Sequence, residues 1–238
     1  MFSGTIALLE KFFLFSQIAL NAMEKRNIDP TAIIYPEVEL GHGTIVEPFC
    51  VIGIEDRFHP KARTEIGKDS FIGSRCTIYC GVTSGDRLDV GDQTTVFYDN
   101  HFGHNCRIGP KTVIKNGCRL GSDIRINSQV FMERVEIESF VFVGPGTVFT
   151  DDLHPPCPRY AECAGKTLVE SYVSIGANAT VGPGLRIGHH TQVYAGAVIV
   201  SDVEPYSVMA GNPARKIKDF RELTCLPNFF ERPYEWWD

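Results

Sequence analysis

Two histidines stand three residues apart in Asn100-His101-Phe102-Gly103-His104-Asn105-Cys106. Imidazole titrates nearest to neutral pH among the side chains. His104 is therefore a candidate to take a proton from an attacking hydroxyl or ammonium group. A second polar stretch is Thr150-Asp151-Asp152-Leu153-His154-Pro155-Pro156-Cys157-Pro158-Arg159. With Cys163 and Cys225, its His154 and Cys157 make a four-ligand set for a structural zinc, but the spacing is irregular and separate free thiols are the simpler expectation. His189 and His190 sit in a turn signal and are expected to face solvent.

Such residues need a scaffold, and composition limits its kind. The chain has 238 residues, 43% hydrophobic and 22% charged, with a formal net charge of −6. That is a globular composition, long enough for one or two domains. No Lys/Arg run offers the basic face that binding a duplex requires, so nucleic acid is not expected as a partner. No apolar run reaches about 18 residues, so no membrane span is expected. The N-terminus lacks a basic n-region and a small-residue cleavage site, which predicts a cytoplasmic protein with reduced thiols.

The organising feature is a repeat. From Ile34 onward an aliphatic residue recurs every six positions: Ile34, Leu40, Val46, Ile52; then Ile66, Ile72, Ile78; then Val90 through Met132. After a slip of one it resumes at Ile137, Val143 and Phe149, and after a longer break at Val169 through Ile199. Only Ser84 interrupts the second run. A period of six is neither helical nor that of a long strand. It fits a short strand plus a turn, with glycine following where the backbone bends. Three such units close an 18-residue triangular coil, and coils stack at about 4.8 Å. Cys50, Cys76, Cys106 and Cys118 fall two residues before aliphatic positions, among Thr44, Ser70, Thr94 and Thr112. They read as small core residues, not as a disulfide framework. Residues 18 apart lie one coil apart, so Asp86 belongs below His104 and Ser122 above it.

Three regions follow. Residues 1–30 are expected to form a helical cap, with one helix over 2–26; a membrane-surface helix is the alternative. Residues 31–204 form the coiled prism, with a loop pushed out at 150–168 where the register fails. Residues 205–238 form an aromatic-rich tail whose Phe229, Phe230, Tyr234, Trp236 and Trp237 pack on the last coil or on a neighbouring subunit.

The [Leu/Ile/Val]-Gly-x4 units over about residues 34–218 resemble the hexapeptide-repeat acyltransferases, most of all the nucleotide-sugar N-acetyltransferases. The resemblance implies a mainly β fold, a left-handed parallel β-helix. It implies a homotrimer with acetyl-CoA bound between neighbouring prisms and a nucleotide sugar as acceptor. The His-x-x-His-Asn-Cys segment resembles enzymes acting on UDP-linked sugars, where the second histidine is the general base; that role passes to His104. On the stacking register, Asp86 would orient the imidazole, and the amide of Gly121 or Ser122 would receive the oxyanion.

Phe149-Thr150-Asp151-Asp152 resembles a Phe-Thr-Asn-Asp segment of the same enzymes, with Asp151 in place of Asn. It implies substrate contacts from Asp151, Asp152 and Arg159, joined by Asn105. A His-Pro in the corresponding loop of several O-acetyltransferases makes His154 the rival base. The segments Ser174-Ile175-Gly176-Ala177-Asn178-Ala179-Thr180-Val181 and Gly211-Asn212-Pro213-Ala214-Arg215 match sugar acetyltransferases nearly residue for residue. They imply an acetyl-CoA site at Gly176, Ala177, Asn178, Ala195 and Gly196, with Arg215, Lys216 and Lys218 on the phosphates. Ser201 stands where many relatives carry lysine. No metal is expected: the carbonic anhydrases that share this prism carry two zinc histidines five apart, and the position five before His104 is Asp99. The other class that fits is a prism that binds or scaffolds without turnover.

Overall fold

The computed structural model describes residues 28–55, 62–225, 227 and 229–234. The expected helix over 2–26 and the tail residues Trp236 and Trp237 lie outside the described residues.

Two- and three-residue strands alternate with four-residue turns, and residues 18 apart pair in parallel. His101 and Phe102 lie between Thr83 and Ser84 below and Arg119 and Leu120 above. The slip before Ile137 appears as a 17-residue step on each face: Leu120 to Ile137, Ile126 to Val143 and Phe131 to Val148. The strands form three flat sheets of nine, eight and ten members, the faces of a left-handed parallel β-helix. Face 1 begins at Ile33–Ile34, face 2 at Val38–Leu40 and face 3 at Ile45–Val46. Face 3 continues past residue 204 through Ser207–Gly211, against which Ala214–Asp219 folds back antiparallel.

Each strand turns one aliphatic side chain inward. Ile52, Ile72, Ile114, Met132, Val143, Val169, Ile175 and Val181 are all fully buried. Side chains two residues earlier fill the corners: Cys50, Cys76, Cys106 and Cys118 are buried, with Thr44, Ser70, Thr94, Thr112 and Thr147. Burial pushes the thiols of Cys106 and Cys118 up to about 11, so they stay neutral core groups. Ser84, the polar interruption, keeps its place in the rung, where its hydroxyl accepts from the Gly67 amide at 3.1 Å.

The glycines after the aliphatic residues have a different cause from the one expected. Apart from Gly53, with a φ of +85°, they do not supply a left-handed bend; that conformation falls two residues later, at positions such as Asn105, Lys111 and Asn178. A Cβ on Gly109 would stand 2.5 Å from the backbone of Asn127, and one on Gly103 would stand 2.6 Å from Gly121. Glycine is required because the next coil passes too close for any side chain.

Candidate active site

His104 lies at the corner between faces 2 and 3, in the turn that joins His101–Phe102 to Arg107–Ile108. Its side chain is 60% exposed. Gly85, directly below, makes room: a Cβ there would stand 2.8 Å from the imidazole. The ring belongs to a column in which each side chain caps the turn amide one coil below. Lys68 N donates to Asp86 Oδ1 (2.9 Å), Asp86 N to His104 Nδ1 (3.0 Å), His104 N to Ser122 Oγ (3.0 Å) and Ser122 N to Ser139 Oγ (3.0 Å).

This geometry revises the expected roles. Asp86 does hold the imidazole, but through its backbone amide. Its carboxylate stands 4.0 Å from Nδ1, beyond hydrogen-bond reach, and serves the Lys68 amide instead. Because Nδ1 accepts, the neutral ring carries its proton on Nε2. Neither expected oxyanion donor is free. The Gly121 amide donates to Ile137 O at 2.8 Å within the sheet ladder, and the Ser122 amide is taken by Ser139. Releasing the Ser122 amide requires only that the Ser139 hydroxyl rotate; releasing Gly121 would break the coil. Asn105, in the left-handed conformation beside His104, gives its amide N–H to Asp123 Oδ1 at 2.5 Å.

The loop residues gather elsewhere. Residues 150–166 leave the corner between faces 1 and 2, a different corner from the one that carries His104. Asp151 is buried, accepts the Tyr160 hydroxyl and offers no exposed carboxylate to a substrate. Burial and this carboxylate push the Tyr160 phenol up to about 12. Asp152 turns the loop by accepting from the His154 amide at 2.8 Å, and Arg159 pairs twofold with Glu162. The short helix Tyr160–Cys163 brings Cys163 Sγ within 3.2 Å of Cys157 Sγ. Among the described residues no three His, Cys, Asp or Glu side chains gather as a metal site, so the zinc set is not assembled.

The residues expected at acetyl-CoA sit at the opposite edge of face 3. Gly176, Ala177 and Asn178 form one turn of the corner between faces 3 and 1; Ala195 and Gly196 form the turn above. Gly176 is pressed against Ala195 N, 2.5 Å from a Cβ position, whereas a Cβ on Gly196 would meet nothing within 4 Å. Arg215, Lys216 and Lys218 project from Ala214–Asp219, with Lys216 3.7 Å from Asp219. His189 and His190 are not solvated as expected. They are half-buried, 3.0 Å apart at Nδ1, and His190 stacks between Tyr172 and Tyr206.

The sequence alone did not bring out the polar groups around His101, whose Nδ1 lies 2.5 Å from Thr83 Oγ1 and whose Nε2 lies 3.5 Å from Asp99. Asp99 also binds Arg119, at the edge of a cavity of about 280 Å³ that Arg134 and Lys166 help to line. The available signal was the register, which sets Arg119 directly above His101.

No protein-family model matches the chain. A probable macrolide acetyltransferase of Lysinibacillus sphaericus is 30% identical over 145 residues, which is 60% of this chain and 77% of that protein. A 2,3,4,5-tetrahydropyridine-2,6-dicarboxylate N-acetyltransferase of Brevibacillus brevis is 43% identical over 82 residues, 34% of this chain and 32% of that one. A UDP-N-acetylglucosamine acyltransferase from Campylobacter jejuni has the same fold, with a TM-score of 0.50 at 14% identity over 81% of this chain and 74% of that one. The fold, the glycine-spaced rungs and these likenesses define one class: the chain belongs to the hexapeptide-repeat acyltransferases. It spans about a third of the Brevibacillus relative and 46% of a bifunctional GlmU protein of Latilactobacillus sakei.

Proposed function

We propose that the protein transfers an acetyl group from acetyl-CoA to an amino group, or else a hydroxyl, of a nucleotide-linked sugar, with His104 as the general base. The observation that carries this is the placement of His104: an imidazole 60% exposed at a corner, flanked by Asn105 and with its backbone amide capped by Ser122. The neutral amine attacks the thioester carbonyl, its proton passes to the imidazole, and CoA leaves as the thiolate. In the resting pose Nδ1 is held by the Asp86 amide. Proton acceptance there therefore requires the ring to swing off that amide, which brings the imidazolium toward the Asp86 carboxylate. An Nε2 route requires the proton to move to Nδ1 with the same release. The family name supports acyl transfer; the sugar nucleotide rests on the sequence resemblance.

A homotrimer is part of the proposal. The outward side chains of face 1 include Val51, Thr77, Thr95, Val113, Phe131, Val148, Thr180 and Val198, a column without a charge. Faces 2 and 3 carry Glu39, Glu65, Arg119 and Arg186, and Asp89, Arg107 and Arg125, at equivalent positions. An uncharged column of this length, with Lys115 and Glu133 at its edge, suits contact with another copy.

The satisfied state of the His104 column favours a second reading, a binding prism without turnover. His104→Ala separates the two. The expected result is retained CoA binding by calorimetry and a loss of at least about tenfold in thiol release, about 1.4 kcal/mol in the barrier. Transfer at the wild-type rate would sink the general-base role.

A further inference from the structure

A cavity of about 440 Å³ opens on face 3, beside the His104 corner and one to three coils above it. Its floor is Arg125, Phe142 and Ser174, successive members of one register column. Its near wall is Asp123 and Phe140, and Tyr234 from the tail closes the top, held by Gln192 at 3.0 Å.

Two features of this cavity are unfinished among the described residues. The first is a ring stack. Left-handed corner residues of successive coils stack as Phe140, Tyr172, His190 and Tyr206, with spacings of 5.1, 4.9 and 5.1 Å, and Arg221 lies over the last ring. The next position below Phe140 is Asp123, so the stack ends at Phe140, 42% exposed and facing the cavity. The second is a charge. Arg107 and Arg125 are register neighbours, and Arg107 binds Asp89 at 3.0 Å. Arg125 forms no ion pair among the described residues, and Asp123 is already bonded by Asn105.

We propose that this cavity binds the nucleotide half of the acceptor: the base packs against the exposed, cavity-facing side of the Phe140 ring, and the diphosphate meets Arg125 one coil below. This rests on the reading of the acceptor as a nucleotide-linked sugar. Order along the prism supports it. Going down from Tyr234, the groups are rings, then Arg125, then His104, which is the order of base, phosphate and reacting sugar. The two to three coils involved span about 10–14 Å, the reach of a diphosphate-linked sugar. A guanidinium without an ion-pair partner among the described residues suits a phosphate, and an aromatic face takes any planar base.

The test is calorimetric titration of the full chain with uridine 5′-diphosphate and, separately, with adenosine 3′,5′-bisphosphate, the nucleotide end of CoA. Arg125→Gln and Phe140→Asn are compared with wild type; asparagine tolerates the left-handed backbone of position 140. Expected are measurable uridine diphosphate binding, a loss of at least about tenfold in each variant at unchanged melting temperature, and unchanged CoA binding. No binding by wild type, or equal binding by both variants, overturns the proposal. Loss of the adenosine bisphosphate instead assigns the cavity to the donor and also overturns it. These titrations involve no turnover. If uridine diphosphate binds here but no sugar nucleotide is acetylated, the transfer reading fails while the cavity assignment stands.

Discussion

At the scale of single residues, the distinction that matters is between the two ends of Asp86. Its amide holds the imidazole and its carboxylate holds the coil below. Asp86→Ala keeps the amide, so the ring stays in place. The expected outcome is a thiol-release rate within about tenfold of wild type, and a stability loss of about 1 kcal/mol or less from one exposed hydrogen bond. A loss of activity as deep as that of His104→Ala would show instead that the carboxylate acts on the imidazolium. The placement of Asp86 under His104 and of Ser122 over it was legible from the 18-residue register. The hydrogen bonds were not, because stacking fixes which residues are neighbours but leaves open whether side chain or amide meets the ring. For the same reason Asp151, Asp152 and Arg159 looked available, although the loop uses all three on itself. Their partners, Tyr160, the His154 amide and Glu162, lie within a segment that has no repeat to read.

At the scale of the element, the repeating unit is legible almost completely, since one inward aliphatic residue per strand fixes three faces and the core together. What the pattern concealed was why glycine follows it. Two substitutions separate close approach from backbone freedom. Gly109→Ala places a Cβ 2.5 Å from the backbone of the next coil and should lower stability by about 1–3 kcal/mol, as overpacking does. Gly196 has a φ of +71° and open space around its Cβ position. Gly196→Asn should therefore cost little, because asparagine adopts that conformation readily. Denaturant unfolding of the two variants checks the ranking, and a reversed order would return the repeat glycines to the turn explanation. The tail was the least legible element. Aromatic content predicted packing, but that Tyr234 reaches Gln192 and roofs a cavity depends on where the chain crosses face 3.

At the scale of the molecule, the three corners of the prism point apart. His104 occupies one, the loop bearing His154 and Arg159 another, and the glycine turns matched to acetyl-CoA sites the third. A site that uses all three must draw on more than one copy, and face 1 is the surface whose outward strand column carries no charge. Val113 lies at the middle of that face, outward-facing and half-buried. Val113→Lys would bury an unpaired ammonium at every contact in the assembly, at a cost of several kcal/mol per ion. Its side chain points away from the core, so the coil itself should fold. Light scattering is expected to find trimers of the wild type and monomers of Val113→Lys, with the same far-ultraviolet circular dichroism. The monomer should keep uridine diphosphate binding on face 3, which one chain forms alone, and lose thiol release. Persistence of the trimer would remove face 1 as the contact. A monomer that still transfers acetyl groups at the wild-type rate would mean that the site is complete in one prism, with His104 and the face 3 cavity sufficient for it.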